Sequence, residues 1–207
     1  MEKGALLAEI ERKVALCQRC DLWKGTKHSV PGEGNPEAKV VFIGEAPGFY
    51  EDQIGKPFVG AAGKLLESTL AEIGINRTDV FIANVVKHRP PENRDPAPNE
   101  IAACSLWLDQ QLEVINPRVI VTLGRYSLAR YSKAKISAVH GQPQKVAKRW
   151  VLPMFHPAAA LRAGSVLEAF KKDFQDNKDL LTNPDSAEVL LKDANSEEED
   201  DSQLDLF

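Results

Sequence analysis

The chain has 207 residues, of which 43% are hydrophobic, and its formal net charge is −4. This length suits one compact domain with a tail, and no apolar run approaches the roughly 18 residues that a transmembrane helix needs. The first 17 residues are amphipathic and carry acids, so they do not resemble a secretory signal. We therefore predict a soluble, cytoplasmic protein.

Charge is distributed unevenly along the chain. Residues 185–207 contain nine acids and one lysine, so they carry −8 and residues 1–184 carry +4. A basic body with an acidic tail fits a domain that binds a polyanion such as nucleic acid. The like-charge block "SEEEDD" at 196–201 favours disorder. We predict one folded domain over 1–183 and a disordered acidic tail over 184–207.

Predicted helices and strands alternate along the chain. Apolar residues at helical spacing predict helices at 5–16, 60–75 and 98–115 and over most of 158–182. Apolar, β-branched runs predict strands at 39–44, 80–86, 118–124 and 148–155. Because each strand is apolar throughout, the sheet must be covered on both faces. The pattern predicts an α/β fold of three layers, α/β/α, with a central, mostly parallel four-stranded sheet.

The segments that suggest a ligand site all follow predicted strands. They are "GEAPG" (44–48), "KHRPP" (87–91), "GRYS" (124–127) and "HPAA" (156–159). Ligands of such folds bind beyond the carboxyl ends of the strands, so these segments are expected to meet. The glycine-rich stretch is neither a Walker loop nor a dinucleotide fingerprint, which disfavours a nucleotide-binding redox module.

The stretch "GEAPGFYEDQIGKPFVGAAGKLL" (44–66) resembles the first motif of the family 4 uracil-DNA glycosylases, which are of the iron–sulfur type. The resemblance covers roughly residues 10–175 and keeps the family's order of motifs. It continues with "NVVK" (84–87), "RPP" (89–91), "NRDP" (93–96), "EIAAC" (100–104), "VIVTLGR" (119–125) and "FHPAAALR" (155–162). It implies a monomeric base excision repair enzyme that hydrolyses the N-glycosidic bond of uracil in single- or double-stranded DNA and leaves an abasic site.

Three side chains are expected to hold the extruded base. Phe58 would stack on its face, which contributes about 1–3 kcal/mol. Asn84 would read its edge, because an amide offers one acceptor and one donor and uracil presents the matching N3–H and O4. His156 would donate to O2, where negative charge collects as the bond breaks. Each of the three also has an ordinary structural interpretation, in the core, in a turn or at a helix start.

The group that positions the attacking water is less defined. Distant glycosylase relatives carry an aspartate at the position of Ala46. Either Glu45 orients the water, or backbone carbonyls do so. The backbone of Gly44, Glu45 and Ala46 is expected to line the pocket. We predict Glu45, Asn84 and His156 as the catalytic residues.

DNA is expected to contact several residues around this pocket. Leu161, in "ALRAGS", would fill the space that the flipped base vacates, as apolar wedges do elsewhere. Arg162, Arg125, Lys87 and Arg89 would contact phosphates. The competing hypothesis is a catalytically weak protein that binds uracil-DNA and bridges it to the replication clamp.

A cysteine site is predicted from Cys17, Cys20 and Cys104. The family's ligands are four cysteines, and His88 stands at the position of the third. The resemblance implies a [4Fe–4S] cluster bound by the three cysteines and His88, since imidazole also ligates iron in such centres. A cluster without His88, a zinc ion or a degraded site with no metal are the alternatives.

The last five residues of the sequence, "QLDLF" (203–207), resemble the short peptide by which bacterial proteins dock on the replicative sliding clamp. Leu204, Leu206 and Phe207 are apolar anchors in a charged tail, and Gln203 opens the motif. The resemblance implies a bacterial, nucleoid-associated protein that is tethered to the clamp.

Overall fold

A six-stranded sheet runs through residues 2–186, the part of the chain that the computed structural model describes. The strands are β1 (Glu33–Gly34), β2 (Val40–Gly44), β3 (Phe81–Asn84), β4 (Val119–Leu123), β5 (Gln144–Val146) and β6 (Arg149–Met154). Their order across the sheet is β1-β3-β2-β4-β6-β5. The helices are α1 (Lys3–Ala15), α2 (Phe49–Ile54), α3 (Ala61–Glu72), α4 (Pro98–Ile115), α5 (Arg125–Leu128), α6 (Ile136–Val139), α7 (Pro157–Ala160), α8 (Gly164–Asp176) and α9 (Lys178–Thr182).

Four parallel strands form the centre of the sheet. β3, β2, β4 and β6 pair in parallel, which confirms the predicted parallel sheet. The short edge strands β1 and β5 pair antiparallel and were not predicted. They have two and three residues and carry no apolar run, so the sequence gives no signal for them.

Helices cover both faces of the sheet, as the apolar strands require. Along β2, Val40 and Phe42 pack into one core, with Leu66 of α3 and Phe174 of α8. The alternate residues, including Ile43, pack into a second core that α1 and α4 cover. Alternation along a strand places successive side chains on opposite faces, so the fold has three layers and the predicted class is confirmed.

Strand register brings the predicted site segments to one edge of the sheet. Gly44 at the end of β2 pairs with Asn84 at the end of β3. Leu123 at the end of β4 pairs with Met154 of β6, two residues before His156. The carboxyl ends of all four parallel strands therefore open onto the same side of the sheet.

Two predicted segments differ in detail from the structure. The stretch 158–182 is divided into parts of α7, α8 and α9 by short breaks, and the glycine-rich stretch contains α2. No helix within 2–186 combines the length and apolar character needed to cross a membrane.

The first residues of the predicted tail contact the body of the domain. Pro184–Ser186 form a 3-10 turn, and Asp185 pairs with Lys39 and Arg118. The rest of the predicted tail, including Gln203, Leu204, Leu206 and Phe207, lies outside the described residues.

Candidate active site

A cavity of about 570 Å³ opens beyond the carboxyl ends of the parallel strands. The predicted residues that line it are Glu45, Ala46, Phe58, Asn84, His156, Arg125 and Arg162. The three side chains predicted to grip one base therefore face a shared space.

Asn84 presents an unpaired polar atom inside this site. The residue is 1% exposed, and its Oδ1 has no hydrogen-bond partner within the described part of the chain. A Cβ atom at Gly44 would lie 2.3 Å from this oxygen and 2.6 Å from Cζ of Phe58. Glycine at position 44 therefore leaves room for both side chains. A buried acceptor without a partner calls for an explanation, and a ligand that donates a hydrogen bond supplies one.

Phe58 is held in a strained backbone conformation by its neighbours. Its φ is +52°, a value that residues other than glycine rarely adopt. Arg77 donates from Nη1 to the Phe58 carbonyl at 3.2 Å and from Nη2 to the Pro57 carbonyl. The Phe58 ring lies 5.8 Å from the His156 ring. Backbone strain of this kind persists only where the surroundings impose it, and it is found at ligand sites.

Glu51 organises the loop that carries Phe58. Its Oε1 accepts the backbone N–H groups of Val59 and Gly60, both at 2.9 Å. Its Oε2 accepts the N–H of Gly48 at 3.1 Å. One carboxylate thus joins the start of α2 to the loop before α3 and fixes the side of the cavity from which Phe58 projects.

His156 is a neutral imidazole with a defined hydrogen-bonding pattern. Its Nδ1 accepts the backbone N–H of Ala158 at 3.1 Å, so the proton of the neutral ring belongs on Nε2. Burial lowers the pKa of His156 to about 4, and the nearby charge of Arg162 acts in the same direction. At neutral pH the ring therefore offers an uncharged Nε2–H donor.

Glu45 is a partly buried carboxyl group on the cavity wall. Burial raises its pKa above the ordinary value, the charge of Asp95 raises it further, and Arg125 opposes them. Arg125 itself pairs with Asp95, with 2.5 Å between Nη2 and Oδ2. A carboxylate with a raised pKa is a better proton acceptor than an ordinary one, which suits a general base.

Four of the five residues predicted to contact DNA reach the surface, and the fifth, Lys87, is buried. Leu161 and Arg162 follow α7 and are exposed, and Arg125 is exposed at the start of α5. Arg89 lies with its guanidinium 5.2 Å above the ring of Phe49. The prediction for Lys87 is wrong.

Lys87 is fully buried, so its ammonium group cannot reach a phosphate on the surface. Its Nζ donates to the Asn84 carbonyl at 2.9 Å and to Oε1 of Gln111 at 2.8 Å. Burial lowers the pKa of Lys87 to about 8. The side chain therefore supports the end of β3 and the backbone of Asn84.

The predicted cysteine site is assembled by contacts between distant segments. Arg19, between Cys17 and Cys20, donates from Nε to the Ala103 carbonyl at 3.1 Å and so joins this loop to α4. Two N–H groups point at sulfur: Trp107 Nε1 lies 3.2 Å from Cys17 Sγ, and the Lys87 amide nitrogen lies 3.2 Å from Cys104 Sγ. N–H donors of this kind adjust the potential of iron–sulfur centres.

Ionisation of these groups reflects their burial. Burial raises the pKa of Cys104 to about 11, and Cys20 and Cys17 act in the same direction, so the three thiols share one neighbourhood. His88 is buried and follows Lys87, whose amide contacts Cys104. Burial lowers the pKa of His88, although the charge of Asp52 opposes it, so the ring is in the neutral form that binds metals.

The three cysteines have the donor chemistry that an iron–sulfur cluster needs. Among residues 2–186, no three or more His, Cys, Asp or Glu side chains are grouped as ligands of a metal ion. In a four-iron cluster each ligand binds a different iron, so its donors stand further apart than the ligands of one ion. Three neighbouring thiols and two N–H···S contacts are therefore compatible with the expected group, and the buried His88 is a donor of a suitable kind.

Sequence reasoning missed the supports of the site. Glu51 stands three residues after Gly48, the spacing at which a carboxylate reaches back to a helix start, and this signal was available. Arg77 and Gln111 lie 19 and 24 residues from the groups they bind, and no local pattern marks them.

Comparison with known proteins agrees with this geometry. The chain belongs to the Uracil DNA glycosylase superfamily, whose family model matches residues 31–178. It is similar to the type-4 uracil-DNA glycosylase of Sulfurisphaera tokodaii, with 45% identity over 190 residues, 86% of each chain. It is 46% identical to that of Saccharolobus solfataricus over 88% of each chain. It is 47% identical to that of Archaeoglobus fulgidus over 82% of this chain and 90% of the relative.

Proposed function

We propose that this protein is a uracil-DNA glycosylase that hydrolyses the bond between uracil and deoxyribose and leaves an abasic site. The observation that carries the proposal is the buried, unpaired Oδ1 of Asn84 in a cavity shared with Phe58 and His156. Relatives that are 45–47% identical over most of their length and are named type-4 uracil-DNA glycosylases support it.

Recognition of the base follows from the groups on the cavity wall. Oδ1 of Asn84 accepts the N3–H of uracil, and the amide nitrogen donates to O4. Cytosine has no N3–H and carries an amino group in place of O4, so it leaves buried polar groups unpaired, which is costly. Phe58 stacks on the face of the base. The base reaches this site only after it leaves the DNA stack.

Bond cleavage uses the two titratable groups of the cavity. A water oxygen attacks C1′ of the sugar while Glu45 accepts its proton, and the electrons of the C1′–N1 bond pass to the base. Negative charge then collects on uracil O2, where the Nε2–H of His156 donates. Because this donor is aimed at charge that develops during the reaction, it stabilises the transition state more than the bound substrate.

The decisive experiment uses single-stranded and duplex oligonucleotides with one uracil. Treatment with the protein and then with alkali should break the strand at uracil, and matched cytosine or thymine oligonucleotides should remain intact. Asn84→Ala should abolish most of the cleavage. Binding of uracil-DNA without an abasic product would favour the alternative of a non-catalytic binder.

We further propose that Cys17, Cys20, Cys104 and His88 hold a [4Fe–4S] cluster. When bound, it would tie α1, the loop after β3 and α4 together close to the cavity. The N–H···S contacts and the neutral His88 support this proposal, and a zinc ion is the alternative. The iron, sulfide and zinc content of the purified protein distinguishes the two.

Variants at this site test each ligand. Cys17→Ser should lose the visible absorption of the cluster. His88→Cys, which restores the ligand set expected from the family, should keep it. Full cluster content in His88→Ala would remove His88 from the ligand set.

We also propose that residues 203–207 bind a bacterial sliding clamp. The support is the sequence of Gln203, Leu204, Leu206 and Phe207 alone. Attachment to the clamp would raise the effective concentration of the enzyme near replicating DNA. Deletion of 203–207 should abolish capture by the clamp and leave cleavage of short oligonucleotides intact. Unchanged capture would refute this proposal.

A further inference from the structure

Helix α2 presents a pair of aromatic rings to solvent. Phe49 and Tyr50 are 50% and 61% exposed. Their rings pack edge to face, with centroids 5.5 Å apart and planes at 81°. An exposed pair of adjacent rings marks a contact surface more often than a scattered apolar residue does.

This aromatic pair is continuous with the base cavity. Gly48 and Glu51, which flank the pair in sequence, both line the cavity. Atom Cδ2 of Tyr50 lies 3.6 Å from the position that a Cβ would take at Gly60, in the loop that carries Phe58. The two rings therefore stand on the rim of the site that takes the base.

Arg89 connects the pair to a further residue of the cavity wall. Its guanidinium lies 5.2 Å from the centre of the Phe49 ring. Its Nε donates to Oδ1 of Asn93 at 2.7 Å, and Asn93 lines the cavity. The rim therefore combines flat rings with a cation, and two further cations, Arg125 and Arg162, lie on the cavity wall.

Nucleic acid is the partner whose chemistry matches this surface. Aromatic rings and arginine together form the usual platform for unpaired bases, because every base has a flat π face. A strand whose uracil occupies the cavity must cross the rim, and a path over Phe49 and Tyr50 would bring its next base onto their rings. A lipid or a partner protein would not account for continuity with the base cavity.

We propose that Phe49, Tyr50 and Arg89 form a stacking platform for the unpaired base next to the extruded uracil. The platform favours single-stranded or locally unpaired DNA, because in a duplex the neighbouring base is already stacked and paired. This proposal rests on the proposed glycosylase function and deepens it, since it names the form of DNA that the site prefers.

The test compares single-stranded oligonucleotides that carry one uracil. In one substrate both neighbours of uracil are ordinary nucleotides, and in the other both are abasic tetrahydrofuran residues. For the wild type, removal of the neighbouring bases should lower kcat/KM. The double variant Phe49→Ala/Tyr50→Ala should lose between about five-fold and about 150-fold on the ordinary substrate, mainly through KM, the loss that corresponds to one stacked base. On the abasic-flanked substrate it should equal the wild type.

Matched variants separate ring stacking from other effects. Phe49→Tyr/Tyr50→Phe keeps both rings and should keep the activity, whereas Phe49→Leu/Tyr50→Leu keeps apolar area without rings and should behave like the alanine variant. Ile54→Ala, at the other end of α2 and also exposed, should match the wild type on both substrates.

Two outcomes would overturn the platform. One is an equal loss on both substrates, which would mean that the substitutions disturb the cavity itself. The other is an unchanged kcat/KM on the ordinary substrate. In both outcomes the wild type still cleaves uracil-DNA, so the proposed function stands. A wild type that cleaves neither substrate would contradict the proposed function.

Discussion

In the proposed mechanism, the buried amide of Asn84 recognises the base. An acceptor that is buried without a partner costs about 1–3 kcal/mol of stability, so the folded protein is less stable with this residue than with an apolar one of similar shape. Thr122 on β4 carries a second unpaired buried atom, Oγ1, among the described residues, but it does not line the cavity. Variants of Asn84 and Thr122 therefore separate an effect on activity from an effect on stability.

Asn84→Ala should lower kcat/KM on uracil-DNA by about 100-fold or more, because a hydrogen-bonding group aimed at the substrate is lost. Its thermal stability should stay equal or rise. Thr122→Val removes an unpaired atom of the same kind and should also keep or raise the melting temperature, with full activity. Activity assays and thermal unfolding of both variants check this. An Asn84→Ala protein that unfolds easily would point to a structural role instead.

Glu45 and His156 predict a particular pH dependence. Glu45 must be deprotonated to act as the general base. Because its pKa is raised, kcat should fall as the pH falls through that pKa. His156 stays neutral down to about pH 4 and should add no transition near its ordinary pKa. Glu45→Gln should lower kcat by about 10²–10⁴-fold and remove the fall in kcat on the acid side. If kcat of this variant still falls at low pH, the general base is another group.

At the scale of elements, the loop between α2 and α3 is built around the Phe58 backbone. Glu51 binds two amides that follow Phe58, and Arg77 binds two carbonyls. Gly63, in the first turn of α3, completes this packing, because a Cβ there would lie 1.8 Å from the Phe58 carbonyl oxygen. The approach of α3 to the loop therefore depends on the missing side chain.

Gly63→Ala should displace Phe58, because the clash is with backbone that cannot turn away. We expect a loss of about 1–3 kcal/mol of stability from overpacking, together with a rise in KM for uracil-DNA. Gly25→Ala is the control, since a Cβ there meets no atom within 4 Å in the described structure. Denaturant unfolding and steady-state kinetics measure both effects. Unaltered kinetics in Gly63→Ala would show that Phe58 does not need this position.

The sequence predicted the central sheet and the residues of the cavity, because long apolar runs and extended motifs mark them. Short elements were missed, since β5 and α2 lack an apolar pattern of their own. Lys87 was wrongly assigned to the surface because the residues that follow it, His88 and Arg89, are polar. Its partner Gln111 lies on α4, and only the folded chain brings the two together.

For the whole molecule, cations around the cavity should dominate the salt dependence of DNA binding. Arg162→Gln should weaken binding to all sequences alike and reduce the slope of log affinity against log salt by about 1, as loss of one phosphate contact does. Arg118→Gln, which breaks the pair with Asp185 beside the amino end of β4, should leave the slope unchanged. Titrations at several salt concentrations measure both slopes. Equal slopes for Arg162→Gln and the wild type would exclude this phosphate contact.

Lys87 links the predicted cysteine site to Asn84 in the cavity. Its backbone N–H donates to Sγ of Cys104, and its ammonium group donates to the backbone carbonyl of Asn84. If Asn84 selects the base as proposed, a displacement of that sulfur, for example when stored protein is oxidised, should reach Asn84 through Lys87 alone. Aged preparations should then lose their discrimination against cytosine while the chain is still folded.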